Sequence, residues 1–255
     1  MKILVIMPFG TDAYNSSVFE VLERVRRKDT DIFIENLHRG PAFIRYAYFQ
    51  SLIVPDIVDR IIHAEQEGFD GVFVSCCFEP GVKEAREVVD IPVVGASVPA
   101  VFLARQLGNR FGFITDTDRA NVITYDLFKQ NKLDVECVGI RSIEMKVEQI
   151  RLDPQRNQER VIEVARQLVT DGADVIINGC TIVAASFRKA NIPEDLAGIP
   201  FLDANVMALK TAEILSELYK IDRLTVSRKS CYAKPEIMES LAFSEVRKMF
   251  GYGNR

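Results

Sequence analysis

The chain has no concentrated basic patch. Its 32 Lys and Arg are set against 36 Asp and Glu, for a net charge of −4. The strongest basic run, Arg24 to Lys28, is interrupted by Val25 and reads as the solvated end of a helix. Nucleic acid is therefore not an expected partner. Long apolar runs are missing too: none approaches the roughly 20 residues that span a bilayer. The apolar stretch after Met1-Lys2 stops at Phe9, too short for the core of an export signal. A cytoplasmic protein with no membrane contact is the expectation. Histidine is limited to two residues, and the five cysteines (Cys76, Cys77, Cys137, Cys180 and Cys231) fit neither a disulfide framework nor a zinc pattern. That implies free thiols in a reducing compartment and no metal. No Gly-rich phosphate loop follows the first apolar run, because MPFGTDAYN holds a single glycine.

What is present is an ordinary globular balance, 48% hydrophobic and 27% charged over 255 residues, arranged as strand–helix alternation. KILVIMPFG reads as a buried parallel strand. Asn15 to Arg27 follows at helical spacing, with Val18, Val21, Leu22 and Val25 on one face. Asp31 to Asn36 is a second strand, and His38 to Ser51 an irregular aromatic segment. Pro55 is expected to open a helix that Gly68 closes. Gly71 to Ser75 forms a strand running into Cys76, with a helix expected from Pro80 to about Val89 and IPVVG as a fourth strand.

The pattern then repeats. DGVFVSCC is matched by DVIINGCT, placing Cys76 and Cys180 at an offset of 104. On the preceding helices Ile57, Ile61 and Ala64 fall opposite Val161, Ala165 and Leu168. IPVVGASVPAVFLA is answered by IPFLDANVMALKTA after a four-residue insertion, and KILVIMPFG by RFGFITDTD. The fold class is accordingly α/β: two pseudosymmetric parallel-sheet domains with the active site in the cleft between them. The first is expected to cover 1–97 plus 206–255, reclaiming C-terminal helices, and the second 98–205.

Ligands of open parallel sheets bind at the carboxyl ends of the strands, where both Cys76 and Cys180 fall. Two thiols facing each other across a cleft can take a proton from one face of a carbon and return one to the other. A thiol suits that work because its ordinary pKa, about 8.5, lies near ambient pH. Cys76 and Cys180 are therefore the candidate catalytic pair. Cys77, whose counterpart is Thr181, sits beside the first; Cys137 and Cys231 read as structural. Thr115, Asp116 and Thr117 end the strand that matches the N-terminal one. Thr115 and Thr117 are candidate substrate anchors, or caps of a helix starting near Arg119, and Asn121 follows on the same argument. Asn178 and Gly179 precede Cys180, and Asn178 interrupts an apolar strand. Phe9 and Phe78 are candidate apolar walls. Arg45 is expected to be solvated, with an anion clamp on a flexible loop as the alternative, and His38 and His63 structural.

At these residues the chain resembles the aspartate/glutamate/hydantoin racemase superfamily, in its hydantoin and allantoin racemase branch. Cys76 followed by Glu79-Pro80-Gly81, Ala85-Arg86-Glu87 and IPVVG is similar to that branch's first cysteine motif, and Asn178-Gly179-Cys180-Thr181 to the second. The likeness extends from residue 1 to about 235. It implies a cofactor-independent two-base racemase or epimerase acting on a small molecule, assembled as a homo-oligomer, with Cys76 and Cys180 as the acid–base pair. Three segments depart from the pattern. Met7-Pro8-Phe9-Gly10 replaces an Asn-Pro-Asn type motif, Phe43-Ile44-Arg45 replaces Ser-Ile-Glu, and Ile182 stands where glutamate racemases carry histidine. A hydantoin-type substrate is the leading expectation. An aspartate-type amino acid, a dicarboxylate isomerase or decarboxylase reaction, and a non-catalytic binding protein remain open. The last 20 residues read as an added amphipathic helix.

Overall fold

The computed structural model describes residues 1–229, 231–235 and 243–252. The first half runs β1 (Lys2–Met7), α1 (Asn15–Val25), β2 (Asp31–Asn36), α2 (Ala47–Gln66), β3 (Gly71–Val74), α3 (Val82–Val88), β4 (Val93–Val94) and α4 (Ser97–Ala104). The second runs β5 (Phe111–Thr115), α5 (Asp118–Asn131), β6 (Cys137–Ser142), α6 (Val147–Ile150), α7 (Pro154–Thr170), β7 (Val175–Asn178), α8 (Thr181–Ala185), β8 (Phe201–Asp203) and α9 (Ala204–Asp222), with α10 (Phe243–Met249) beyond. The strands form two four-stranded parallel sheets, ordered β2-β1-β3-β4 and β6-β5-β7-β8. The repeat legible in the sequence is thus a repeat of topology.

Burial explains the order. The strands β3, β5 and β7 are buried at every residue, and β1 at all but its first. They are apolar throughout because helices cover both faces. The edge strands β2 and β6 are mostly half-buried and carry charge, whereas the opposite edges β4 and β8 are buried.

The two helices after the last strand of each sheet cross over. Although α4 follows β4, it packs against β7 and β8, whereas α9 follows β8 and packs against β3, β4 and α1. The fully buried Glu213 fixes α9 in place by accepting the Arg27 backbone N–H at 2.7 Å.

Two local expectations are corrected. Pro55 lies inside α2, which starts at Ala47. The early turns are held by Phe49, packed edge-on to Phe43 and Tyr46, and by Gln50 Nε2 donating to the Ile44 carbonyl, so the helix survives the one hydrogen bond that proline removes. Pro80 does not open α3, which is capped by Gly81 in the left-handed region at φ 75°. The helix expected over the last 20 residues falls partly outside the described residues; within them it covers Phe243–Met249. Among the described residues no helix is long and apolar enough to cross a membrane.

Candidate active site

Between the carboxyl ends of the two sheets lies a cavity of about 30 Å³, room for on the order of one or two waters. Phe9, Cys76, Cys77 and Phe78 line it from the first half, and Cys180 and Thr181 from the second. Phe43, Ile44 and Arg45 join them from the segment before α2, and Asp116, Val147 and Ile182 from the other side. Thr115, Thr117, Asn121, Asn178 and Gly179 lie outside this lining. Thr115 Oγ1 instead donates to Asn121 Oδ1. Asn121 also borders a separate groove between α5 and β6. Asn178 is buried with neither amide atom partnered.

The two cysteines are set differently. Cys180 is the N-cap residue of α8, separated from β7 by Gly179 alone. Cys76 is separated from α3 by a tight turn: the Glu79 N–H donates to the Cys76 carbonyl at 3.2 Å, and Glu79 itself is left-handed at φ 52°. The Phe78 N–H donates to Cys76 Sγ at 3.4 Å, so a backbone amide of the turn serves this sulfur. Between them lies Cys77. Its hydrogen bonds with Cys180 and Cys76, reinforced by burial, push its thiol well above the ordinary cysteine range. Cys77 is therefore a neutral thiol at neutral pH.

A symmetric set of bonds holds these segments. In the first half, Ser97 Oγ at the start of α4 donates to the Cys77 carbonyl at 2.7 Å, and the Glu79 carboxylate accepts the Val98 N–H at 2.8 Å. In the second, Asn205 Nδ2 at the start of α9 donates to the Thr181 carbonyl at 2.9 Å, and the Asp203 carboxylate accepts the Asn205 N–H at 2.8 Å. The Asp203 bond caps α9 itself; because α4 and α9 cross between halves, the other three fasten each cysteine segment to a helix packed on the opposite sheet. Two more bonds join the halves directly: Thr181 Oγ1 to the Ser75 carbonyl at 3.2 Å, and Ser75 Oγ to Asn205 Oδ1 at 3.3 Å.

Arg45 was expected in solvent but is only 8% exposed. Its Nη2 donates to Glu148 Oε2 at 2.9 Å, its Nε lies 3.8 Å from Asp116 Oδ2, and its guanidinium stacks 4.3 Å from the Phe43 ring centroid. That packing and pairing with residues far along the chain draw it inward. Burial pushes the Asp116 carboxyl up to about 6, against the pull of Arg45. Val147, Ile44 and Asp116 were not selected as site residues from the sequence. Asp116 alone carried a signal, as a charged residue at the end of a buried strand.

A model of the Asp/Glu/hydantoin racemase family matches residues 3–212. The hydantoin racemase of Pseudomonas sp. (strain NS671) is 33% identical over 244 residues, covering 94% of each chain. The allantoin racemase from Klebsiella pneumoniae superposes with a TM-score of 0.84 at 23% identity, over 96% of this chain and 98% of that one. The allantoin racemase from Pseudomonas fluorescens gives 0.82 at 25% identity, over 95% and 100%.

Proposed function

The chain belongs to the Asp/Glu/hydantoin racemase family, and from that premise we propose that it is a cofactor-independent racemase inverting the acidic C–H of a hydantoin-type ring, with Cys76 and Cys180 as its acid–base pair. The observation that carries this reading is that the two thiols, contributed by the ends of β3 and β7, line one cavity from opposite halves.

The chemistry needs one thiolate and one thiol. The thiolate removes the proton beside the ring carbonyl, the electron pair moves onto the carbonyl oxygen, and the opposite thiol returns a proton to the other face. The protein ends with the two protonation states exchanged, ready for the other enantiomer. Backbone N–H groups at the start of α8 are suited to the developing enolate oxygen. Cys77, held neutral, does not compete as a base. A ring substrate needs a larger space than the closed cavity offers, since ligand pockets run to about 300 Å³ or more. In this reading the Phe43–Arg45 segment swings out to admit it. The same reading takes 1–97 with 206–255 as one domain and 98–205 as the other, supported by the packing of α9 on β3 and α4 on β7. It also takes the working form as a homo-oligomer, which light scattering would measure.

The test is proton NMR in heavy water with polarimetry, on 5-benzylhydantoin, allantoin, aspartate and glutamate. Loss of the Cα–H signal together with optical rotation for a hydantoin, abolished in both Cys76→Ala and Cys180→Ala, is expected. Exchange only with an amino acid would move the substrate class. Exchange that survives either substitution would sink the two-base mechanism.

A further inference from the structure

Arg45 is the only cation among the described residues lining the cavity, whose other walls are mainly aromatic and aliphatic. Its Nε is buried without a hydrogen-bond partner. Of its two acidic neighbours, Asp116 is buried and lies 3.8 Å away without a hydrogen bond. Glu148 makes the real bond, but its side chain is 37% exposed and it stands on the four-residue α6 at the rim. A buried guanidinium whose closest anion can swing into water is a site at which an incoming anion replaces an internal one, since planar carboxylates match its donor fork.

Resting on the hydantoin racemase reading, we infer that Arg45 determines specificity: it selects substrates whose substituent at the reacting carbon ends in a carboxylate, which takes the place of Glu148. Asp116 holds no hydrogen bond to the guanidinium, so the partner that an incoming anion displaces is Glu148. The aliphatic stem of the substituent then lies along Phe43 and Val147, and the ring sits over the cysteines.

The experiment compares kcat/KM for deuterium exchange of 5-(2-carboxyethyl)hydantoin, its neutral isostere 5-(2-carbamoylethyl)hydantoin, and 5-isobutylhydantoin. Wild type is expected to prefer the carboxylate over the amide at least about tenfold, the scale of one charge-assisted bond, mainly through KM. In Arg45→Gln the ratio should fall to near unity, with Arg45→Lys between. Equal rates for the three compounds in wild type, or a ratio unchanged in Arg45→Gln, would overturn the inference. If none of the compounds exchanges, the hydantoin reading fails. Calorimetric binding of the same carboxylate and amide then decides the role of Arg45: preference for the carboxylate that Arg45→Gln removes sustains it, and equal or absent binding ends it.

Discussion

Thr181 Oγ1 donates to the Ser75 carbonyl across the cleft at 3.2 Å, although the two residues lie 106 positions apart. Each adjoins a cysteine of the cavity, Ser75 before Cys76 and Thr181 after Cys180. The spacing of the two thiols is therefore set by a hydrogen bond one residue away from each, and Asn205 braces it by bonding Ser75 and Thr181 together.

That brace gives the first prediction. Asn205 is wholly buried, and Asn205→Ala removes its bonds to Ser75, Thr181 and Asp203 at once. Leaving such groups unpaired costs about 1–3 kcal/mol each, so a clear drop in Tm is expected. Because the cysteines lose their spacing rather than the cavity its walls, kcat should fall more than KM. An unchanged kcat in folded protein would show that the brace does not position the thiols.

Cys77 and Cys76 should separate cleanly. Cys77→Ala removes a neutral thiol and leaves a small void, worth roughly 1 kcal/mol, and racemisation should persist within about tenfold. On the proposed two-base mechanism Cys76→Ala removes an acid–base group and should cost about 10²–10⁴-fold. Steady-state polarimetry on both variants checks this, and the reverse ranking would make Cys77 the reactive thiol.

Gly179 admits no side chain. A Cβ there would stand 1.9 Å from Phe113 Cζ, and Phe113 is fully buried and packed edge-on to Phe128 at 5.0 Å. Overpacking of this kind costs about 1–3 kcal/mol or more, so Gly179→Ala should lower Tm and displace Cys180. Adding Phe113→Leu should recover part of the loss, and no recovery would mean the clash is not the cause.

Asp116 predicts a pH dependence of stability. Its carboxyl holds a proton to about 6 in the folded protein, against 3.8 ordinarily, chiefly because it is desolvated. Between those values the folded state binds more protons than the unfolded one, so stability falls as pH rises. The penalty is absent below about pH 4 and complete above about pH 6, and a shift of about two units amounts to roughly 3 kcal/mol. Asp116→Asn should thus raise Tm at pH 8, and the gain should disappear by pH 4. Thermal melts across that range test it; a gain independent of pH would assign the effect to something other than ionisation.

The sequence by itself determined the fold class, because each strand and helix writes its own period and the chain writes the set twice. The buried runs before Cys76 and Cys180 are legible for the same reason: parallel strands covered on both faces are apolar throughout. Phe9, Cys77, Phe78 and Thr181 could be picked out because they adjoin strand ends, where open sheets bind ligands. Tertiary structure alone decided that Arg45 is buried, that Val147 and Ile44 wall the cavity, that Asn205 braces the cysteine segments, and that Thr115 turns toward Asn121 rather than the cavity. Those contacts join residues separated by long stretches of chain, and a hydrogen bond or a packing contact between such residues leaves no period or spacing in the sequence on either side of it.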